Sequence, residues 1–520
     1  VQQLQPDWDH LFWVPADLRS PRGGSVAAAD IAALADMGFG FLVLHRDGYH
    51  RNAEWDSARD LCGRWLGTPQ HVDRDLAVWS LAGNDEPMAA AGRPTGFGAV
   101  GLTRPDISTL DRDEPRAVEV TFDDPALRVE FVLPASVLQF GEEDIGYHNG
   151  YVETHDLELG CCEVARDVDL RHSRMWIERQ SPARVVVRWR AAVTDDDGTV
   201  ANHRLPAQHE AGSGDRVEEW YTLYPDGTFA RQVTIHTALA IQARAHWGRR
   251  GAPYETQESS VIGAPGHHPT DDIDTGAVTL IDMDGEFRTI SFRPYPAETD
   301  LMAGANIQVV NIEGRYRPFT IMPPGDTTIL PYHGSPEDHR HLDHTTFITW
   351  PGGQEFPDGY TTALTHLIQW DFHDRGTDHL TQVYLSGMTR AQDDAALAGE
   401  MVNLARSWLS PPQVTVQGGP EASVTYDRAQ RAFVVTAAGG APVSLDFEAS
   451  EEAPLLDPCF VLAGWGAGPL QLSRDGEILD EGRDYRAGLE AIGESTDRVL
   501  WLPLGATSPT RFLIEPRSQP

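Results

Sequence analysis

The feature that most constrains this chain is a long succession of short β-type runs separated by turn signals. Between residues 111 and 389 the runs cluster or alternate β-branched and aromatic residues, as strands do. The turn signals are Asp-Gly and Pro-Asp-Gly steps, which supply the backbone geometry that hairpins require. Clear examples of the runs are 117–122 (AVEVTF), 128–133 (RVEFVL), 184–193 (RVVVRWRAAV) and 218–223 (EEWYTL). Because helical periodicity is rare here, the pattern predicts a mainly β protein built around a large antiparallel β-sandwich.

Changes of composition divide the 520 residues into four segments, since domains usually hold about 100–200 residues each. The second segment is rich in Gly, Pro and Ala, which is typical of a connector. The last segment repeats the strand rhythm over the length of an immunoglobulin-like domain. The predicted organisation is a small α/β unit at 1–83, a connector at 84–110, the large β-sandwich at 111–410 and an immunoglobulin-like β-sandwich at 411–520.

Two details of this organisation can be checked against coordinates. In the first segment, strands at 39–45 and 75–81 flank a helix at 54–65, which suggests a parallel strand pair joined by a right-handed crossover. At the end of the large sandwich, Thr389 is a predicted cap for one amphipathic helix, and Ser410-Pro411-Pro412 ends it. The predicted buried face of that helix carries Leu397, Met401, Leu404 and Trp408.

The charge of the chain narrows its partners. It contains 78 acidic and 41 basic residues, a formal net charge of −37, and every basic side chain other than His is Arg. Such a surface repels phosphate backbones and anionic headgroups, which disfavours nucleic acid and membrane surfaces as partners. No apolar run approaches the roughly 18–20 residues that cross a bilayer, so no membrane insertion is expected. Motifs for a P-loop, a serine-hydrolase elbow and an H-E-x-x-H metalloprotease are also missing.

Two polar segments carry candidate chemistry. Residues 331–344 (PYHGSPEDHRHLDH) hold four imidazoles and three carboxylates, and His339 and His341 would share a face in an extended chain. A divalent cation, Ca²⁺ or Zn²⁺, is the candidate ligand there, although a solvated loop explains the same residues, and no other cofactor is indicated. In 146–151 (GYHNGY), Tyr147, His148 and Asn149 offer an acid, a base and an amide donor.

Several stretches resemble one group of large β-rich polysaccharide-degrading proteins, the ulvan-lyase-like proteins. The stretches are 218–236, 253–272 and 305–319, and the resemblance continues through 344–373 and 453–466. Residues 38–45 and 66–81 are similar to the C-terminal α/β tail of sulfatase-like proteins, but the sulfatase nucleophile signature is missing. One departure concerns Trp350-Pro351, which follow Ile348-Thr349 where the resemblance leads us to expect Asn-His.

The resemblance implies a polysaccharide lyase, and the chemistry of β-elimination suggests roles for individual residues. Cleavage next to a uronate needs a donor for the sugar carboxylate, a base for the C5 proton and an acid for the leaving oxygen. Asn149 and Arg231 are the candidate carboxylate ligands. His148 or His344 is the candidate base, and Tyr147 or Tyr360 the candidate acid. Arg315, Arg317 and Trp350 are candidate substrate-binding residues.

Two other functions stay open at this point. One is a non-catalytic glycan-binding or cell-surface structural protein. The other is a glycoside hydrolase that uses two carboxylates, for which Glu218, Glu219 and Glu258 are candidates. In all three cases the expected partner is a polysaccharide, and the expected location is extracellular or at the cell surface.

Overall fold

The computed structural model describes most of the chain from residue 117 onward and four short stretches before it. The described residues are 41–45, 71–72, 76–80, 101–103, 117–124, 126–134, 136–141, 145–150, 152–156, 158–167, 169–205, 213–240, 254–264, His267, 271–292, 302–325, 327–331, 343–345, 360–369, 372–437, 441–492 and 495–517. Contacts divide the chain into two compact units, Val1–Ala91 and Gly92–Pro520.

The first unit contains a small antiparallel sheet. Its described strands are β1 (Phe41–His45), β2 (His71–Val72) and β3 (Leu76–Ser80), in the order β1-β3-β2. β3 runs antiparallel to both neighbours, with Phe41 opposite Ser80 and His71 opposite Val78. The predicted parallel pairing of β1 and β3 is therefore wrong. The sequence reading missed β2, which precedes β3 by three residues and reverses the chain direction; the predicted helices lie outside the described residues.

The second unit begins with a large all-β domain that contains 22 described strands and one 3₁₀ turn, Val164–Arg166. The strands are β4 (Gly101–Thr103), β5 (Ala117–Thr121), β6 (Arg128–Val132), β7 (Ser136–Phe140), β8 (Gly146–Asn149), β9 (Glu153–Asp156), β10 (Gly160–Glu163), β11 (Arg174–Gln180), β12 (Val185–Ala192), β13 (Arg216–Leu223), β14 (Phe229–His236), β15 (Tyr254–Glu255), β16 (Glu258–Ile262), β17 (Ile273–Ile281), β18 (Phe287–Ile290), β19 (Ile307–Ile312), β20 (Arg317–Ile321), β21 (Thr327–Pro331), β22 (Asp343–Thr345), β23 (Tyr360–Gln369), β24 (Asp374–Arg375) and β25 (His379–Thr389).

Two large antiparallel sheets organise these strands. A nine-stranded sheet has the order β21-β23-β16-β8-β7-β6-β5-β4, with β22 also paired to β23. A ten-stranded sheet has the order β11-β12-β13-β14-β25-β20-β19-β17-β18, with β24 also paired to β25. A smaller sheet joins β10, β9 and β15. β4 lies within the segment predicted as a connector and pairs with β5, so the ordered sheet begins earlier than the composition predicts.

The two large sheets pack face to face. One continuous core contains Val118, Phe131 and Val261 from the nine-stranded sheet together with Val187 and Val233 from the ten-stranded sheet. Along β12, for example, the core residues Val187 and Trp189 lie on either side of Arg188, which is how a strand covers a core on one side only. The predicted large antiparallel β-sandwich is confirmed.

One helix, α1 (Asp394–Leu409), follows the sandwich and covers part of the ten-stranded sheet. The predicted apolar residues of α1 are all buried, and they pack on outward-facing residues of β17, β19, β20 and β25. The helix ends before Ser410, as predicted, but Asp393 caps its start by accepting a hydrogen bond from the Ala396 N–H at 2.9 Å. Thr389 instead ends β25 and donates to Glu400, so the predicted cap is wrong by one turn.

The C-terminal domain is a second sandwich. Its strands are β26 (Val414–Gln417), β27 (Ser423–Asp427), β28 (Ala432–Thr436), β29 (Val443–Phe447), β30 (Leu455–Leu456), β31 (Cys459–Ala463), β32 (Leu470–Arg474), β33 (Glu477–Leu479), β34 (Arg486–Ile492), β35 (Ser495–Trp501), β36 (Gly505–Ala506) and β37 (Thr510–Pro516). The sheets β26-β29-β37-β32-β33 and β27-β28-β31-β35-β34 enclose one core, and β30 pairs with β36. Aromatic rings meet across that core, with Phe447 and Phe460 5.8 Å apart between centroids. The predicted terminal β-sandwich is confirmed.

A buried ion pair joins the two sandwiches. Arg184 donates from Nε and Nη2 to the two carboxylate oxygens of Glu490 at 2.7 Å each, and both side chains are fully buried. A shared apolar cluster surrounds this contact and includes Tyr224, Cys459 and Trp501. Because a bidentate pair fixes both distance and orientation, the two sandwiches are held in one relative position.

Candidate functional site

Two of the predicted catalytic residues point into the interior of the large sandwich. Tyr147, on β8, is fully buried, and its hydroxyl lies 3.4 Å from Nε2 of Gln308. Burial raises the pKa of the Tyr147 hydroxyl. A polymer cannot reach this group between two packed sheets, so the structure does not support Tyr147 as the acid.

Arg231, on β14, is also part of the interior. Its Nε donates to Glu219 at 2.7 Å and its Nη1 donates to Oε1 of Gln257 at 2.8 Å. Burial opposes the charge of the guanidinium, but Glu219 outweighs this and raises the pKa of Arg231. The arginine therefore neutralises a buried carboxylate, and the predicted role as a ligand of a sugar carboxylate is not supported.

The two arginines proposed to line a cleft have different environments. Arg317, on β20, is 5% exposed; it donates to Oδ1 of Asn311 at 2.9 Å and to the carbonyl of Ala391 at 3.0 Å. These hydrogen bonds hold the segment that leads into α1 against β20, and the Arg317 side chain does not line a cleft. Arg315 is exposed in the turn before β20, where its carbonyl accepts a hydrogen bond from Gln392.

The remaining predicted residues belong to the nine-stranded sheet or lie outside the described part. The backbones of His148 and Asn149 are in β8, that of His344 is in β22 and that of Tyr360 is in β23. The sheet order β8-β16-β23-β22 therefore brings these strands together from distant parts of the sequence. The side chains of Asn149, His344 and Tyr360 are not among the described ones, and Trp350, His339 and His341 lie entirely outside the described residues.

His148 lies on the outward face of the nine-stranded sheet, which is the face turned away from the sandwich core. It follows Tyr147, so the alternation along β8 directs the two side chains to opposite faces. His148 is half-buried. The residues opposite it are Ser260 on β16 and Leu138 on β7, and Leu138 in turn lies opposite Glu130 on β6.

A histidine that the sequence reading did not single out lies on this outward face. His366, on β23, is opposite Glu258 on β16, and its Nδ1 lies 2.6 Å from Oε1 of Glu255. Glu255 itself is opposite Glu153 on β9. Both Glu255 and Glu258 are less than 5% exposed, while 14% of the His366 side chain is accessible.

The carboxylates control the charge of His366. Burial alone would lower its pKa, but Glu255, followed by Glu258 and Glu153, outweighs burial and raises the pKa of His366 to about 9. The imidazole is therefore charged at neutral pH. Its Nδ1 faces Glu255, which fixes the orientation of the ring.

Glu258 and His148 are diagonal neighbours across β16 and β8, because Ser260 lies opposite His148 and Glu258 is two residues away from Ser260. Such neighbours lie about 7–8 Å apart in an antiparallel sheet. A half-buried imidazole, a charged imidazole and a carboxylate thus occupy adjacent positions. The outward-face cluster consists of His148, Glu258 and His366 of the nine-stranded sheet and of Glu153 and Glu255 of the three-stranded sheet beside it.

A cation and a buried apolar group lie on the same sheet face as the cluster. Arg128, on β6, donates from Nε to Glu130 at 2.9 Å, and its guanidinium carbon lies 4.0 Å from the centroid of the Phe140 ring. Phe140, Leu138 and Ile262 form a buried apolar group on this face. The outward face therefore combines acidic, basic and apolar side chains, and Glu130, Leu138, Phe140, Glu258 and Ile262 are each less than 5% exposed.

The carboxylates predicted for a hydrolase do not come together. Glu218 and Glu219 are consecutive residues of β13 and face opposite sides of the ten-stranded sheet. Glu218 accepts hydrogen bonds from Arg188 and Trp220, while Glu219 is the interior partner of Arg231. Only Glu258 belongs to the outward-face cluster, so the pair Glu218 and Glu219 is excluded as a catalytic dyad.

The structure tests the expected metal site only in part, because His339 and His341 lie outside the described residues. Within the described ranges no group of three His, Cys, Asp or Glu side chains is arranged to hold a metal ion. In the same part of the chain, no helix has the length and apolar character that a membrane span requires.

Comparisons with known proteins give little further information. No protein-family model matches the chain, and no curated protein matches it. Among solved structures, galactose 1-epimerase from Lactobacillus acidophilus NCFM is 9% identical, with 56% of this chain and 99% of that chain covered at a TM-score of 0.31. A GalM/aldose epimerase homologue from C. elegans is 10% identical, with 56% and 100% covered at a TM-score of 0.24. Similarities this low carry no conclusion about this chain.

Proposed function

We propose that the chain is a carbohydrate-active enzyme that cleaves an anionic, uronate-containing polysaccharide by β-elimination on the outward face of the nine-stranded sheet. The observation that carries the proposal is the pairing of His366 with Glu255, beside Glu258 and on the same sheet face as the half-buried His148. A charged imidazole and a second imidazole that is the candidate base correspond to two of the groups that this elimination needs. The proposed location is extracellular or at the cell surface, where such polymers occur.

Each group has a definite task in the proposed reaction. His148 removes the C5 proton, the electron pair of that C–H bond forms the C4–C5 double bond, and the C4–O bond breaks. The leaving oxygen takes up a proton, for which Tyr360 stays the candidate donor. His366 supplies a positive charge on the sheet face where the sugar carboxylate would lie, and that carboxylate becomes more negative as the C5 proton leaves.

The charge of His366 supports this assignment over the one based on sequence. Negative charge that develops on the sugar carboxylate is stabilised best by a donor that is already charged and fixed in place. Glu255 fixes the imidazole ring, and the raised pKa keeps it protonated at neutral pH. Arg128, on the same face, is paired with the buried Glu130 and is not counted as a second cation of the site.

The experiment is incubation of the purified protein with ulvan, alginate, polygalacturonate and hyaluronan. Elimination predicts a rise in ultraviolet absorbance, because the product carries a double bond conjugated with its carboxylate. New reducing ends without that absorbance would favour hydrolysis with Glu258 as one carboxylate. Binding with neither signal would favour a non-catalytic glycan-binding protein.

A further inference from the structure

A second surface of the large sandwich carries side chains that the proposed elimination does not use. The outer face of the ten-stranded sheet is covered by α1 over β17, β19, β20 and β25. On β11, β12 and β13, the strand register places Trp176, Arg188 and Trp220 opposite one another in a single row. The tryptophan platform consists of this row and of four charged residues beside it, Arg174, Glu178, Arg190 and Glu218.

The side chains of the platform hold one another in place. The guanidinium carbon of Arg188 lies 5.8 Å from the ring centroid of Trp176 and 4.7 Å from that of Trp220. Glu218 accepts from Nε of Arg188 at 2.8 Å and from Nε1 of Trp220 at 3.0 Å. A guanidinium between two indoles, fixed by a carboxylate, forms a surface that needs little reorganisation when a ligand binds.

The platform is open to solvent. Trp176 is 40% exposed, and it is the only tryptophan among the exposed large apolar side chains of the described residues. The Arg190 side chain is 53% exposed. An exposed indole beside an exposed guanidinium offers a ligand an apolar and a cationic group at one place.

We propose that the tryptophan platform binds an anionic polysaccharide. The indoles offer flat apolar faces on which the C–H faces of sugar rings can stack. Trp176 and Trp220 are two strands apart, about 9–10 Å across the sheet, which suits two nearby rings of one polymer chain. Arg174, Arg188 and Arg190 outnumber the two glutamates of the platform, so the surface is locally positive although the chain as a whole is strongly acidic.

The site is independent of the proposed catalytic function. It lies on the outer face of the ten-stranded sheet, whereas the outward-face cluster lies on the outer face of the nine-stranded sheet. A polymer held there would keep the protein on its substrate between cleavage events. Failure of one site therefore does not imply failure of the other.

The test is affinity electrophoresis, followed by titration calorimetry, with alginate, polygalacturonate and hyaluronan as anionic probes. Dextran serves as a neutral probe and single-stranded DNA as a nucleic acid probe. We expect Trp176→Ala to raise the dissociation constant for a bound anionic polymer about tenfold and Trp176→Phe to raise it less, because Phe retains an aromatic face. Arg188→Gln should weaken binding and reduce its dependence on salt.

Phe287→Ala is the matched control, because Phe287 is a similarly exposed aromatic residue on β18, at the other edge of the same sheet. It should leave binding unchanged, and all variants should keep the wild-type melting temperature. The proposal is overturned if the wild type binds none of the anionic polysaccharides, if it prefers dextran or DNA, or if Trp176→Ala binds like the control. His148→Ala should abolish elimination and leave this binding intact.

Discussion

At the scale of single residues, charged side chains in the interior of the large sandwich differ in role from those on the outward face of the nine-stranded sheet. Arg231 and Glu219 neutralise each other between the sheets, where neither can meet a substrate. His366 is held in its charged form by Glu255 and Glu153 of the three-stranded sheet and by Glu258 of the nine-stranded sheet. The proposed elimination is placed on the outward face because the interior between the two packed sheets is closed to a polymer.

The charge of His366 predicts how stability depends on pH. Its pKa is raised from about 6.5 in the unfolded chain to about 9 in the folded one, so its contribution of about 3 kcal/mol is complete below pH 6.5. The contribution is lost as the pH rises through about 9. Urea unfolding between pH 6.5 and 9.5 should show this loss, and His366→Gln should flatten the profile in that range. An unchanged profile in the variant would contradict the assignment.

The consecutive residues Glu218 and Glu219 provide a matched pair of substitutions. Glu219→Gln leaves Arg231 charged and without its carboxylate in the interior, which should lower the free energy of unfolding by about 3–5 kcal/mol. Glu218→Gln removes a partner of the more accessible Arg188 and Arg190, and the expected loss is about 0–1 kcal/mol. Urea unfolding measures both. Equal losses would show that the two glutamates do not face opposite sides of β13.

At the scale of elements, the sequence predicts the positions of strands better than it predicts which strands pair and in which direction. The run 184–193 was recognised from its β-branched and aromatic residues, and the structure has β12 at Val185–Ala192. The direction of β3 was missed because a two-residue strand, β2, has no recognisable pattern. The cap of α1 was misplaced because Thr389 and Asp393 are both good capping residues, and only the end of β25 decides between them.

The outward-face cluster could not be assembled from the sequence for a related reason. Glu255 and Glu258 are three residues apart, a spacing that a single strand would divide between its two faces. The chain breaks between β15 and β16, so the alternation of side chains in β15 does not continue into β16. His366 meets the two glutamates only because β23 pairs with β16, and the two strands are more than a hundred residues apart in the sequence. His148 is a candidate from the sequence because its neighbours Tyr147 and Asn149 are local, and its role stays a prediction. No local pattern specifies the partner strand.

The position of the α1 cap gives a prediction at this scale. Asp393→Ala removes the acceptor for the Ala396 N–H and should destabilise the protein by about 1 kcal/mol. Asp393→Asn keeps an acceptor oxygen and should cost much less. Thermal unfolding of the two variants makes the comparison. A larger effect from the asparagine variant would contradict the role of Asp393 as a cap.

At the scale of the whole molecule, the joint between the two sandwiches makes them one compact unit. Arg184 and Glu490 are fully buried in this joint, beside apolar residues from both domains. Glu490→Ala should therefore lower stability by about 3–5 kcal/mol, because it leaves Arg184 buried without a counter-charge. Calorimetry should show the single transition of the wild type separating into two. A variant that still unfolds in one unshifted transition would show that the pair does not couple the domains.

The central claim is that the outward face of the nine-stranded sheet performs β-elimination, and the rate of ultraviolet absorbance increase with a uronate polymer tests it most directly. The comparison is between wild type, His148→Ala and His236→Ala, the last being a control histidine on β14 of the other sheet. We predict a loss of at least about a hundredfold for His148→Ala, because it removes the base, and no loss for His236→Ala. An active wild type with a fully active His148→Ala variant, or a wild type inactive on every uronate polymer tested, would contradict the claim.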